Sequence, residues 1–463
     1  MIEVELADVA RLTGAAVAGR PNGDRVTADV EVDSRLVRPG GLFVALPGER
    51  TDGHDHAAAA VAAGAVVALT ARPVDGVPCL VVADPLAAMQ VLARELWLRE
   101  PPLTFGLTGS SGKTSTKDLL AQVLAGAGPT LSPPGSFNNE IGLPLTALRR
   151  TPETRFAVLE YSARGVGHIA FLRTIIAPDV ATVLNIGTAH LGEFGSREAI
   201  AQAKGELVER APLAVLNADD QLSLGLAARA PGRVVTFGTG PDADIRGEDL
   251  ELDSEGRPRF RLVVDGRSVD VALHSRGAHS ASNALAVAAN ALEVLSLERV
   301  AALLSAAVPV SRWRMEVTER ADGVTVVNDA YNANPESMRA ALKTLAVMSR
   351  GKARRTFAVL GEMAELGEAS FEAHLDLGRF LVRLDISQLI AVGEQAGGIH
   401  AGAVLEGSWG SESLHVADVD QAVALLRSEL APGDVVLIKA SRSAGLERVA
   451  DALLQPPLPD SNA

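Results

Sequence analysis

A chain of 463 residues, 47% hydrophobic and 22% charged, can bury several cores; at about 150 residues per domain it reads as about three domains, which excludes a globally disordered or fibrous polypeptide. Lys and Arg number 43 against 57 Asp and Glu, and the resulting net charge of -14 argues against a surface built for phosphate backbones, so nucleic acid is not an expected partner. The single cysteine, Cys79, permits neither an internal disulfide nor a zinc cluster and fits a reducing, cytoplasmic compartment.

In chain order, the acidic start Ile2-Glu3-Val4-Glu5 lacks the basic and apolar stretches of an export signal. A short strand at 42–46 and a helix over 86–97 are separated by turn-rich stretches, Asp33-Ser34-Arg35 and Asp52-Gly53-His54 among them. The longest uncharged apolar run, 57–71, is too short to span a bilayer, is broken by Gly64, and reads as helix, turn and strand. Cys79 falls in a strand-like run, 79–82, where a small buried side chain is expected.

Pro101-Pro102 marks the first boundary. Strands at 103–108, 156–160, 180–185, 214–217 and 234–238 then alternate with helices such as 198–208, the pattern of a parallel sheet with crossover helices. Segments 260–265 and 268–273 flank Gly266-Arg267 and read as an antiparallel hairpin that extends this sheet or forms a smaller one. From 310 onward a second alternating unit has strands at 324–328, 357–361, 389–393 and 435–439, in the manner of a Rossmann-like domain. The expected division is 1–100, 101–310 and 311–455, with a disordered tail over 456–463. No coiled-coil heptads are visible, and a monomer is expected.

The most informative segment is Gly106-Leu107-Thr108-Gly109-Ser110-Ser111-Gly112-Lys113-Thr114-Ser115, between an apolar strand and a helix. In that context glycines let backbone amides approach phosphate oxygens, the helix N-terminus adds partial positive charge, Lys113 reaches the outer phosphates and the Thr114 hydroxyl ligates magnesium. The longer phosphate-loop pattern fails at Leu107, where its first glycine would stand, and the shorter T-G-x-x-G-K-T form remains. Glu160 closes a strand at the carboxyl edge of the sheet, where open α/β folds place ligands, and is a candidate cation ligand. Taken alone, His190 reads as a structural histidine and Lys204 as a solvated helix residue.

Together these segments resemble the Mur ligases. The resemblance rests on the loop 108–114, on Asn138-Asn139-Glu140-Ile141-Gly142-Leu143-Pro144, and on His190-Leu191-Gly192-Glu193-Phe194-Gly195-Ser196. Ala203-Lys204-Gly205-Glu206, Asn328-Asp329-Ala330-Tyr331-Asn332-Ala333-Asn334-Pro335 and Lys439-Ala440-Ser441-Arg442 complete it, and it runs from about 33 to 454. The branch it is most similar to joins D-alanyl-D-alanine to UDP-N-acetylmuramoyl-tripeptide during peptidoglycan precursor synthesis. The resemblance implies a three-domain α/β architecture, with a UDP-sugar domain, a central ATP-binding parallel sheet and a Rossmann-like ligase domain.

The same resemblance implies the site. Lys113, His190 and Lys204 would be catalytic; Gly109, Ser110, Ser111, Gly112, Lys113, Thr114, Ser115, Asn283, Arg312 and Asp329 would bind ATP. Thr114 and Glu160 would hold one Mg2+, His190 and Lys204 a second, with Lys204 as a carbamylated lysine. Ser34, Arg35, Asn138, Asn139, Asn332, Asn334 and Arg442 would contact the substrates.

Two departures from the family pattern stand out. Tyr161-Ser162 follow Glu160 where Met or Leu and then Gly are usual, and His279-Ser280 replace a His-Asn pair. They leave open a paralogue joining another carboxylate to another amine. A folylpolyglutamate synthase-like ligase and a nucleotide-driven switch that makes no bond are further alternatives; the Asp329–Pro335 string opposes the first, and Glu160, His190 and Lys204 oppose the second.

Overall fold

The computed structural model describes residues 2–48, 51–189, 191–350, 354–408 and 410–455. The expected tail, 456–463, lies outside the described residues. Among the described residues the strands before the first proline pair are β1 (Val4–Glu5), β2 (Ala16–Ala18), β3 (Arg25–Val26), β4 (Val30–Glu31), β5 (Leu42–Val44), β6 (Val67–Thr70) and β7 (Cys79–Val81). β1 pairs with β3, and the other five form a sheet in the order β2-β7-β6-β5-β4, parallel except at β2. The run 57–71 folds as helix, turn and strand, and Cys79 is fully buried.

The central sheet comprises β8 (Leu103–Thr108), β9 (Thr130–Leu131), β10 (Phe156–Glu160), β11 (Val180–Val183), β12 (Leu213–Asn217), β13 (Arg233–Gly238), β14 (Ile245–Leu252), β15 (Pro258–Val264) and β16 (Arg267–Ala272). Its order is β16-β15-β14-β13-β12-β11-β8-β10-β9, parallel from β9 to β14 and antiparallel beyond. The hairpin therefore extends the main sheet. Its turn is Asp265-Gly266, one residue earlier than the sequence suggests, and both residues have positive φ, at 48° and 75°. A two-residue turn matched to the strand twist requires that, and Asp-Gly tolerates it where Gly-Arg would not.

β10 and β11 are buried at every position, and β8 at all but its first residue, because helices cover both faces of the sheet. The chain leaves β8 for the edge at β9, returns through β10, then crosses to β11 on the other side of β8. That reversal opens a crevice beyond the carboxyl ends of β8, β10 and β11, where a doubly wound sheet binds its ligand.

The third sheet is built from β17 (Glu316–Glu319), β18 (Thr325–Asn328), β19 (Thr356–Leu360), β20 (Gln388–Val392), β21 (Ser413–Val416) and β22 (Val435–Lys439), ordered β17-β18-β22-β19-β20-β21. Only its β17 edge is antiparallel, so this is a Rossmann-like parallel sheet. Glu336, at the start of helix Pro335–Arg350, docks it onto the central sheet by accepting from Thr188 N at 2.9 Å and from Thr188 Oγ1 at 2.9 and 3.0 Å. Gly192 N donates to Glu365 O at 3.2 Å nearby.

Candidate active site

Strand β8 ends at Thr108, and the loop that follows turns into helix Lys113–Ala125 at Gly112. Gly112 has φ of 79°, and a Cβ there would come within 2.6 Å of Asn283 Oδ1, so the loop closes directly against the asparagine expected on the nucleotide side. From β11's end, Asn185 Oδ1 accepts from Ser110 N at 3.0 Å and Ser111 N at 2.9 Å, which holds the loop open as a cradle. Lys113 Nζ donates to Gly109 O at 2.7 Å. Burial depresses the Lys113 pKa, opposed by the nearby Glu160 charge.

Glu160 stands at the end of β10, fully buried. Its Oε2 accepts from Asn138 Nδ2 at 3.1 Å, whereas its Oε1 is buried without a partner. An orphaned carboxylate oxygen this deep is costly unless something cationic reaches it. With the Thr114 hydroxyl on the same cleft, the pair fits a hard divalent cation that takes its remaining ligands from phosphates and water. Among the described residues no three His, Cys, Asp or Glu side chains cluster as a metal cage. His190 lies outside the described residues.

Lys204, 3% exposed, sends its Nζ to Gly109 O at 3.2 Å, the carbonyl that Lys113 also uses. Burial first, and the neighbouring Lys113 charge second, push its pKa well below the ordinary lysine value. A solvated helix lysine would show neither feature. Glu206, in the same sequence motif, accepts from Ala170 N at 2.8 Å and thereby ties the end of Lys204's helix to helix His168–Ile175.

The phosphate loop and Glu160 line a cleft of 1080 Å³ whose walls come from both larger sheets. Ser110 to Ser115, Asn138, Glu160 and Asn283 line it from the central part, and Asp329, Asn332, Asn334 and Lys439 from the C-terminal part. Asp329 pairs with Lys439 at 2.7 Å and accepts from Met315 N at 3.0 Å. His279 lines the cleft beside that pair, and its pKa is lowered because desolvation by the surrounding groups outweighs the Asp329 charge.

Several expected site residues have their side chains engaged within the protein, Asn334 while also lining the cleft. Asn139 Oδ1 caps helix Gly142–Leu148 by accepting from Gly142 N at 2.8 Å, and Asn334 Oδ1 caps helix Pro335–Arg350 by accepting from Ser337 N at 2.9 Å. Arg312 is exposed and lies 5.3 Å over the Trp313 ring, outside the cleft. Arg442 packs 4.3 Å over the same ring and pairs with Glu447. In the N-terminal part, Arg35 forks onto Asp33 and holds that carboxyl at about 2; Ser34 and Arg35 do not line the cleft.

Sequence reasoning missed Arg314. Its guanidinium donates to Thr114 Oγ1 at 2.8 Å and Ser136 Oγ at 3.3 Å, and stacks 4.1 Å over Tyr331, whose hydroxyl meets Ser136 Oγ at 3.1 Å. Two arginines within Arg312-Trp313-Arg314 gave no sequence signal for choosing; positive φ at Trp313 and Met315, 60° and 51°, sets which one turns inward. Tyr161 is likewise resolved by the structure. Its ring is fully buried against Gly106 and its hydroxyl donates to Ile176 O at 2.8 Å, so the departure beside Glu160 is a core substitution. Ser162 is absent from the residues with positive φ, so no glycine is required there.

Comparison with known proteins matches three domain families in order: "Mur ligase family, catalytic domain" over residues 28–100, "Mur ligase middle domain" over 107–291 and "Mur ligase, glutamate ligase domain" over 313–442. The UDP-N-acetylmuramoyl-tripeptide--D-alanyl-D-alanine ligase of Mycobacterium tuberculosis is 51% identical over 98% of both chains. Its Escherichia coli namesake is 38% identical over 94% of this chain and 96% of its own. Among solved structures, MurF from Acinetobacter baumannii superimposes with a TM-score of 0.88 at 31% identity, covering 98% of this chain and 99% of that one. MurF ligase from Thermotoga maritima in complex with ADP gives 0.78 at 30% identity over 92% and 97%. With three domain matches in series and relatives alike over nearly their whole length, the chain belongs to the Mur ligase family.

Proposed function

We propose that this chain is an ATP-dependent carboxylate-amine ligase that joins D-alanyl-D-alanine to UDP-N-acetylmuramoyl-tripeptide in peptidoglycan precursor synthesis. The observation that carries the reading is the convergence of Lys113, Thr114, Glu160 and Arg314 on one cleft walled by two sheets, in a chain 51% identical to a ligase of that name. Tyr161 is core and does not bear on substrate choice, whereas Ser162, His279 and Ser280 line the cleft, so the substrate pair rests on the identity with the ligase and not on these positions.

The reaction needs a carboxylate to attack the γ-phosphate, so two anions must meet. Lys113, the amides at the start of helix Lys113–Ala125 and Arg314 supply positive charge where they do so. ADP leaves, the dipeptide amine attacks the acyl phosphate, and phosphate departs as the amide forms. Docking of the C-terminal sheet through Glu336 and Glu365 covers the cleft and keeps water from the acyl phosphate. Magnesium, when bound, would supply charge neutralisation along the phosphates; Thr114 and Glu160 would hold one ion, and His190 and Lys204 a second. The depressed pKa of Lys204 favours its neutral amine, the form that adds CO2 and releases a proton to become a carbamate. Asn283 and Asp329 would face the nucleoside, and Asn138 orients Glu160.

The divisions near residues 100 and 310 are supported by sheet membership, since among the described residues no sheet spans either. No helix among the described residues is long and apolar enough to cross a membrane; cytoplasmic residence and a monomeric state complete the proposal. The test is phosphate release from ATP with UDP-N-acetylmuramoyl-tripeptide, with and without D-alanyl-D-alanine, alongside mass detection of the product. Dipeptide-dependent release with a product heavier by one dehydrated dipeptide is expected. ATP binding without that product would overturn the substrate assignment.

A further inference from the structure

Arg314 reaches the phosphate loop from the segment joining the central sheet to the C-terminal one, and that segment does not cross open space. It leaves helix Leu297–Ala306 and runs along helix Lys113–Ala125 in the opposite direction, meeting it once per turn. Leu303 packs where a Cβ on Gly126 would lie, 2.6 Å from the Leu303 Cδ1. Gln122 pairs with both backbone groups of Val308, donating from Nε2 to Val308 O at 3.0 Å and accepting from Val308 N at 3.1 Å. Asp118 Oδ2 accepts from Ser311 Oγ, and Thr114 Oγ1 accepts from Arg314 at 2.8 Å. Positions 114, 118, 122 and 126 are spaced by four and therefore share one face of the helix. Their partners 314, 311, 308 and 303 climb that face in order toward the phosphate end.

We infer that Gln122 and Asp118 are positioning residues, a track on the phosphate-loop helix that fixes the register of the interdomain segment and so delivers Arg314 to the reacting phosphate. The inference deepens the ligase reading and rests on it for the identity of the anion. The lower contacts involve only the central part and the connecting segment, so they persist while Arg314 exchanges Thr114 for a phosphate oxygen. Asp118 also binds Lys117 at 2.8 Å, and the buried Lys117 Nζ donates to Pro133 O at 2.5 Å and Gly135 O at 3.0 Å. That places the loop carrying Ser136, the second Arg314 acceptor, on the same support.

The test uses the full chain and Gln122→Ala, with Ser311→Ala as a second variant that removes a different contact on the track. Hydrogen exchange at the Val308 amide, read by NMR or fragmentation mass spectrometry, is expected to speed up about tenfold in Gln122→Ala, since its side-chain acceptor is gone. Phosphate release should show kcat down about tenfold with the ATP KM within about twofold, the signature of a lost transition-state contact. Arg314→Ala should cost much less in the Gln122→Ala background than in the unmodified chain, because both act through one cation. Additive effects, an unchanged kcat in both variants, or unchanged Val308 exchange would overturn the inference. The exchange measurement needs no substrate, so a wild-type chain that formed no dipeptide product would count against the ligase assignment while leaving the track to be decided separately.

Discussion

Arg314 and Thr114 stand 200 residues apart in sequence and 2.8 Å apart in space, a guanidinium from the C-terminal side resting on the hydroxyl of the phosphate loop. Its neighbour Arg312 points away and covers Trp313. Arg314→Ala is therefore expected to lower kcat about a hundredfold, the scale of losing one charged donor at a transferring phosphoryl group. Arg312→Ala, which removes an exposed cation, should stay within about twofold. Steady-state phosphate release on the two variants separates them, and equal losses would show that the inward arginine has been misassigned.

A second contact between the two larger parts has a different consequence. Glu336 accepts from both the backbone N–H and the hydroxyl of Thr188, so Glu336→Ala should leave ATP binding intact while loosening the docking of the C-terminal sheet. Small-angle scattering should show a larger radius of gyration, and unfolding should show a loss of about 1–3 kcal/mol, appropriate to charge-assisted hydrogen bonds. An unchanged radius with unchanged kcat would mean that docking does not depend on this carboxylate.

The strands around the phosphate loop were legible in the sequence because each is a short apolar run closed by chemistry-bearing residues, as with Thr108 and Glu160. The Rossmann-like strands were legible for the same reason. Side-chain destiny was not. Asn139 and Asn334 belong to motifs that look like substrate contacts, yet the Oδ1 of each caps a helix, Asn334 doing so from the cleft wall, and helix capping uses the same residue type that ligand binding does. Taken alone Lys204 reads as a solvated lysine, and only the resemblance marked it for the site; helical periodicity around a single lysine carries no record of its burial on Gly109 O.

Tyr161 gives a stability prediction that also bears on substrate choice. Its buried hydroxyl donates to Ile176 O, so Tyr161→Phe should cost about 1–2 kcal/mol in urea unfolding by leaving that carbonyl unpaired. The KM for D-alanyl-D-alanine should not move, since the ring lies within the core. A changed KM with unchanged stability would revive a role for this position in substrate selection.

His374 supplies a pH dependence. Its Nδ1 donates to Ser370 O at 2.7 Å and its Nε2 accepts from Met363 N at 2.9 Å, so the ring is neutral and staples the segment after β19 to helix Ser370–Arg383. Burial holds its pKa below the ordinary 6.5, against the raising influence of Ser370 O and Glu362. A folded-state pKa below the unfolded one means that the unfolded chain binds the proton first. Stability from this group is thus full above about 6.5 and falls with pH from there down to the folded-state value. His279 and His400 are also held low by desolvation and bend the curve the same way, so the informative quantity is the difference from His374→Gln, in which they remain. Across the range from about pH 7 to about pH 5, the wild-type chain should lose stability relative to the variant in urea unfolding, a converging pair of curves on acidification. Parallel curves would mean that His374 takes up its proton equally in both states and that its hydrogen bond to Met363 is not formed in solution.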